Sequence, residues 1–186
     1  VRIVAGKFRG KALDAPKSQD IRPTADRVRE AVFSIVASRL GTDLSGHRVL
    51  DLFAGTGALG LEALSRGADH CIFVDTGVEA RGLIRGHIEA FGVAGQVRLL
   101  RRDATDMGPV ERLRPTSLVF ADPPYGLGLG EKAIASALAG GWIAPGALIV
   151  LEERKGTEIA PIAGTTPIDS RTYGDTLVTL LEAADT

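Results

Sequence analysis

The sequence predicts an α/β fold: a mostly parallel sheet with crossover helices, ended by an antiparallel C-terminal hairpin. Three observations predict it. From about residue 47, short apolar runs alternate with stretches of helical periodicity, the pattern of parallel strands joined by crossover helices. An aspartate falls at or just past the end of four successive runs. The last two strand-like runs are separated only by Gly174 and Asp175, a hairpin turn.

In chain order, residues 1–14 are short, basic and punctuated by glycine, which reads as a small hairpin. Over 24–40, Val28, Ala31, Val32, Ile35, Val36 and Leu40 recur at helical spacing, with Thr24 after Pro23 as the N-cap. Strands are expected at 48–51, 70–75, 97–100, 117–121 and 147–151, and helices at 57–66, 77–91 and 129–139. The hairpin pairs 167–173 with 176–182 and adds two strands at the sheet edge. The single cysteine, Cys71, lies inside an apolar run; it excludes an internal disulfide or cysteine-based zinc site and reads as core. Trp142 is expected to pack beside the fifth strand. His47, His70 and His87 have no metal-ligand spacing, and no metal is expected.

Composition narrows the class. With 45% apolar and 24% charged residues, the chain is an ordinary globular domain, and no apolar stretch is long enough to cross a bilayer. No membrane partner is expected, and the location is expected to be cytoplasmic. The net charge of −1 conceals an asymmetry: residues 1–29 hold eight basic groups against three acids, so +5 there leaves −6 on the rest. A basic arm on an acidic body points to a polyanion met by the N-terminus, with Lys7, Arg9, Lys11, Arg22 and Arg27 as its contacts. A solvated charged segment is the competing reading.

The four acids are Asp51, Asp75, Asp103 and Asp122. Parallel strands bring such positions to one edge, where ligands bind. Carboxylates gathered on one rim repel unless a ligand supplies cations or hydrogen-bond donors. DLFAGTGALG, over 51–60, also contains Gly55-x-Gly57-x-x-Gly60, the dinucleotide fingerprint. Yet Asp51 stands four residues ahead of Gly55, where a pyrophosphate would be repelled. S-adenosylmethionine carries no phosphate, and its ammonium and sulfonium are cationic. Asp75 is placed to accept ribose hydroxyls, as it would for NAD, and Asp103 to accept from an adenine amine with Ala104 behind it. A divalent metal would also neutralise clustered acids, but no lysine follows the loop as in a P-loop. The loop lies at the surface edge, so a valine at Gly57 is expected to block the donor while the protein still folds.

ADPPYG, over 121–126, follows an apolar run. Two prolines fix φ and remove N–H donors, so the chain leaves the strand stiff and extended. An exocyclic amine must pyramidalise to accept a methyl group, which two fixed acceptors encourage. Asp122 and the Pro123 carbonyl supply them, Pro124 stiffens the turn, and Tyr125 offers a face on which a flipped base stacks.

These residues also carry a resemblance. Residues 49–60 together with Asp122, Pro123, Pro124 and Tyr125 resemble the Rossmann-like S-adenosylmethionine-dependent amino-methyltransferases. RIVAGKFRG (2–10), RPTADRVRE (22–30) and YGDT (173–176) resemble the RsmD-type 16S ribosomal RNA guanine-N2 branch, so the likeness spans nearly the whole chain. It implies methylation of a guanine N2 amine in 16S ribosomal RNA, free or within the small ribosomal subunit, by a monomer. It also implies that residues 1–40 form an RNA-facing extension and 41–186 the methyltransferase domain. S-adenosyl-L-methionine would lie on Asp51, Phe53, Ala54, Gly55, Thr56, Gly57, Asp75, Asp103, Ala104 and Asp122. The branch often has glutamate with a second acid two residues on, where this chain has Asp75 and Gly77, and an asparagine near Gly86 and His87. Other readings from the residues are a methyltransferase for adenine, cytosine or glutamine amines, an NAD-binding oxidoreductase, and a non-catalytic RNA-binding module.

Overall fold

The computed structural model describes residues 1–18, 21 and 25–185. Its elements are α1 (Asp26–Leu40), β1 (Arg48–Leu52), α2 (Ala58–Ser65), β2 (His70–Val74), α3 (Val78–Phe91), β3 (Val97–Leu100), β4 (Thr116–Ala121), α4 (Leu129–Ala139), β5 (Ile143–Arg154), β6 (Thr165–Tyr173) and β7 (Thr176–Ala183). The strands form one sheet in the order β3-β2-β1-β4-β5-β7-β6. The first five are parallel to their neighbours; β7 pairs antiparallel with β5 and with β6. The sheet reverses its order between β1 and β4, which opens a crevice at their carboxyl ends.

Two apolar layers enclose the sheet. On one face, Val32, Phe33, Ile35 and Val36 of α1 pack with α2, with Ile84 and Phe91 of α3, and with Val49, Cys71, Phe73, Leu118 and Phe120. On the other, Ala133, Ile134 and Ala137 of α4 cover Leu50, Ile72, Val119, Ile149 and Leu151, with Trp142 filling the end. β1, β2, β4 and the second half of β5 read as apolar runs because both of their faces are buried. Cys71 is a buried, free thiol, as expected of a core residue.

Among the boundaries that depart from the sequence reading are the starts of α1 and β5. α1 begins at Asp26 with Ala25 as its N-cap and no side-chain cap, and Thr24 lies outside the described residues. β5 starts at Ile143, four residues early, because a register shift against β4 lets Pro145 and Gly146 stay in the strand.

The N-terminal hairpin is held by one bridge, Arg2 with Ala12, and by Ile3 N–H donating to the Lys11 carbonyl at 2.9 Å. Ile3 and Leu13 enter the α1–α3 layer. Beneath it, the fully buried Glu62 accepts from Val4 N–H (2.9 Å), Ala5 N–H (3.1 Å), Arg29 Nε (3.3 Å) and Arg66 Nε (3.0 Å). Arg29 also donates to the Arg2 carbonyl and to Asp26. A buried carboxylate this fully satisfied locks hairpin, α1 and α2 together.

Candidate active site

The parallel strands bring all four predicted acids to the carboxyl end of the sheet. Asp51 is the penultimate residue of β1, Asp75 and Asp122 directly follow β2 and β4, and Asp103 lies three residues past β3. Asp51 is 1% exposed, beneath the glycine loop, and its Oδ2 accepts from Gly60 N–H at 3.1 Å. Burial pushes its carboxyl well above the usual range; the charges of Asp122 and Asp75 add to this, and the Gly60 bond opposes it. The rim is thus an electrostatically loaded site that a cation would relieve.

The Asp75 carboxylate joins two elements. Its Oδ2 accepts from Gly55 N–H (2.9 Å) and its Oδ1 from Gly77 N–H (2.8 Å), tying the glycine loop to the start of α3. Each oxygen keeps a second lone pair. Asp103 is exposed, and the Thr105 hydroxyl and then its N–H hold the Asp103 carboxyl below its ordinary value. Phe53, Val74, Asp75, Thr76, Arg102, Asp103 and Ala104 line a cavity of about 70 Å³ at this end. Arg102 is fixed there by donating to the Met107 carbonyl at 2.8 Å and by lying 5.3 Å from the Trp142 ring.

The loop itself is strained and tight. Phe53 has φ 56°, a left-handed conformation rare for a bulky residue and one that nothing in the sequence signals. Ala54 N–H donates to Val74 and Gly57 N–H to Ala54. Gly57, with φ 81°, is buried: a Cβ there would stand 3.2 Å from Ile84 and 3.3 Å from Phe73. This corrects the expectation that a valine at Gly57 leaves the fold intact, since it would strain the backbone and crowd the core at once. Gly60 is tighter still, with a Cβ placed 2.4 Å from the Phe73 ring.

Asp122 and Tyr125 are half-buried, Pro123 is buried and Pro124 exposed. Past them, Gly126 N–H donates to Oε1 of Glu153 at 2.9 Å, and the same oxygen accepts from Arg154 N–H at 2.8 Å. Glu153 is 1% exposed at the end of β5, so a buried acid anchors the far side of the Asp-Pro-Pro-Tyr turn. The sequence reading missed it; the available signal was the pair Glu152 and Glu153 directly after an apolar run. His87 is a second such residue. It is 2% exposed, its Nε2 accepts from Asp14 N–H at 2.9 Å, and its Nδ1 lies 3.0 Å from the Thr56 carbonyl. The imidazole therefore carries its proton on Nδ1 and couples the N-terminal segment to the glycine loop.

The predicted polyanion contacts scatter. Lys7, Arg9 and Lys11 are exposed on the hairpin, but Lys7 N–H donates to Ser65 at the end of α2, and Lys11 Nζ to Ala90 at the end of α3. Lys11 also lies 5.4 Å from the Phe8 ring and 5.2 Å from Phe91. α3 rises about 21 Å, so Lys11 stands a helix length from the start of α3 at the aspartate end. Arg27 is exposed in the first turn of α1, near Gly174. Arg22 lies outside the described residues. No helix is long and apolar enough to cross a membrane, and no cluster of metal-ligating side chains occurs, both among the described residues.

Comparison with known proteins adds the lineage. The family described as Conserved hypothetical protein 95 matches residues 1–182. Ribosomal RNA small subunit methyltransferase D of Escherichia coli K12 is 36% identical over 152 residues, covering 82% of this chain and 74% of that protein. The Haemophilus influenzae protein of the same name is 31% identical over 176 residues, covering 94% and 89%. The solved structure of yhhF from Escherichia coli superposes with a TM-score of 0.83 at 30% identity, covering 100% of this chain and 99% of that one.

Proposed function

The chain belongs to the Conserved hypothetical protein 95 family, the RsmD family, and from that premise we propose that it transfers a methyl group from S-adenosylmethionine to the N2 amine of a guanine in 16S ribosomal RNA. One observation carries the reading: Asp51 is buried under the glycine loop within the field of Asp75 and Asp122, which favours a cationic ligand over a pyrophosphate. The residues present fit S-adenosylmethionine. The Asp75 oxygens hold the glycine loop and the start of α3 with one lone pair each and retain a second for the ribose hydroxyls. Asp103 and Ala104 border the cavity where an adenine edge would lie. Phe53, Ala54, Gly55, Thr56 and Gly57 form the methionine end, with the charge of Asp51 acting from beneath. When bound, S-adenosylmethionine supplies an electrophilic methyl group on a sulfonium.

The chain's own groups then do three things. Asp122 and the Pro123 carbonyl accept hydrogen bonds from the target amine, turning its lone pair out of conjugation. Pro123 and Pro124 hold those acceptors in direction, and Glu153 fixes the turn beyond them through Gly126. The Tyr125 ring stacks on the flipped base, worth about 1–3 kcal/mol. Holding amine and methyl in line supplies roughly 7–11 kcal/mol at best. Residues 1–40 act as the RNA-facing extension, with Lys7, Arg9, Lys11, Arg22 and Arg27 meeting phosphates. The test is methyl transfer from labelled S-adenosylmethionine to naked 16S RNA and to small subunits, followed by nucleoside mass spectrometry. N2-methylguanosine is the expected product. A methylated adenine or cytosine would move the reading to another amine, and NAD binding without donor binding would overturn it.

A further inference from the structure

At the amino end of the sheet, opposite the aspartates, three arginines and a histidine gather. Arg48 opens β1 and His70 opens β2, and the two are register partners; Arg98, the second residue of β3, pairs with Ile72. Strand alternation puts Arg48, His70 and Arg98 on one face, that of Leu50 and Ile72. Between β3 and β4 the described chain forms turns and no crossover helix, so no helix roofs this part of the face. Arg114, two residues before β4, stands close enough for Arg48 to feel its charge.

Arg98 and Arg114 are exposed, and Arg48 and His70 half-buried. Arg48 Nε and His70 Nδ1 are buried atoms without a hydrogen-bond partner. Burial and then Arg114 draw the Arg48 guanidinium below its ordinary range, against the nearby Asp69. Burial and then Arg48 and Arg98 lower His70. Asp69, the acid that opposes them, already takes Gly46 N–H at 3.0 Å on its Oδ1. Like charges held on rigid strands repel until a polyanion meets them.

We propose that Arg48, His70, Arg98 and Arg114 form a second phosphate-docking surface, which takes the backbone of an RNA segment other than the one presenting the target base. The inference rests on the RNA-methyltransferase reading above. Charge complementarity favours RNA over an acidic protein: Arg48, Arg98 and Arg114 present guanidinium groups, the donors suited to phosphate and nucleic acid. Arg48 stands beside His70 on strands about 4.8 Å apart, and Arg98 is displaced by two residues, about 7 Å, along β3.

The experiment compares the wild type with Arg98→Gln/Arg114→Gln, both at exposed positions, and with the same pair plus Arg48→Gln. Naked 16S RNA is the probe, across a salt series, with circular dichroism for folding. Each phosphate left without its cation should lower the log–log salt slope by about 0.7–0.9, which at physiological salt weakens RNA binding roughly tenfold for the double variant. KM for RNA should rise with kcat at saturating RNA and donor affinity unchanged. Unchanged slope and KM in the folded double variant overturn the proposal, and so does loss of binding to small-subunit proteins with RNA binding intact. A wild type that binds RNA but transfers no methyl group would defeat the enzymatic reading alone, because the salt series still reads the docking surface.

Discussion

The two ends of the sheet carry opposite charge. At the carboxyl end, Asp51, Asp75, Asp103 and Asp122 lie at or just past the ends of four parallel strands, and at the amino end Arg48, His70 and Arg98 are the first or second residues of three of the same strands. A net charge of −1 and the split into a +5 arm and a −6 body conceal this, because both add charge along the chain instead of across the fold. Parallel pairing aligns strand ends in space, so a bias at run ends becomes two charged surfaces. The ends are also built differently. Asp51 and Asp75 are tied to backbone N–H groups that shape a loop, whereas Arg48 and His70 each leave a buried nitrogen unpaired. One end is suited to orienting a small cationic ligand, the other to adhering to a polyanion.

If this contrast holds, changes at the aspartate end move rate and donor affinity, and changes at the basic end move affinity for RNA and its salt dependence. The largest effect is expected from Asp122→Ala: kcat falls about 100-fold or more, with donor affinity by calorimetry and the RNA salt slope nearly unchanged. A shifted slope with normal kcat would erase the division of labour. Next, Tyr125→Ala should lose about 1–3 kcal/mol of base stabilisation while Tyr125→Phe stays near wild type in single-turnover assays. Equal damage from both would give the hydroxyl the role assigned to the ring.

Smaller changes come from the hairpin. Lys7→Gln/Arg9→Gln should lower the RNA salt slope by about 0.7–0.9 for each phosphate no longer neutralised. Lys11→Gln should add less, because that ammonium is already engaged with Ala90 and two rings. Parallel slopes would leave the hairpin as a brace and the strand ends as the adhesive surface. The smallest effect concerns stability. The folded Asp51 carboxyl is raised, so the fold binds a proton that the unfolded chain releases near 3.8, and stability declines as pH climbs from there through the raised value. Asp51→Asn removes this decline. Its melting temperature should exceed wild type at neutral pH and converge below about pH 4, while donor affinity falls. A variant less stable at neutral pH would show that the Gly60 bond outweighs the burial of charge.

Much of this is legible in the sequence. Apolar runs with acids at their ends place the parallel strands to within a few residues, and the helix expected over 129–139 matches to the residue, because the buried positions of each recur at an unbroken period. The location of the hairpin cations is not legible. Charge content says that 1–29 is basic, but only the bonds to Ser65 and Ala90 show that its tip lies away from the aspartates. Glu153 and His87 are hidden for a related reason. Each acts by accepting a backbone N–H from a distant segment, and residue type alone does not announce such a contact. Gly57 reads as a surface position and is buried, because a loop in the sequence need not be a loop at the surface.

The docking of the first eighteen residues has a consequence for synthesis. Their hydrogen-bond partners Glu62, Ser65, Glu79 and His87 lie 58, 57, 62 and 73 residues further along the chain. At about 5–20 residues per second, the N-terminal segment waits roughly 4–15 s for His87 to be made. During that interval Ile3 and Leu13 have no apolar layer to enter. The first eighteen residues, made well before their partners, are thus among the last to settle, and their cations keep them soluble while they wait.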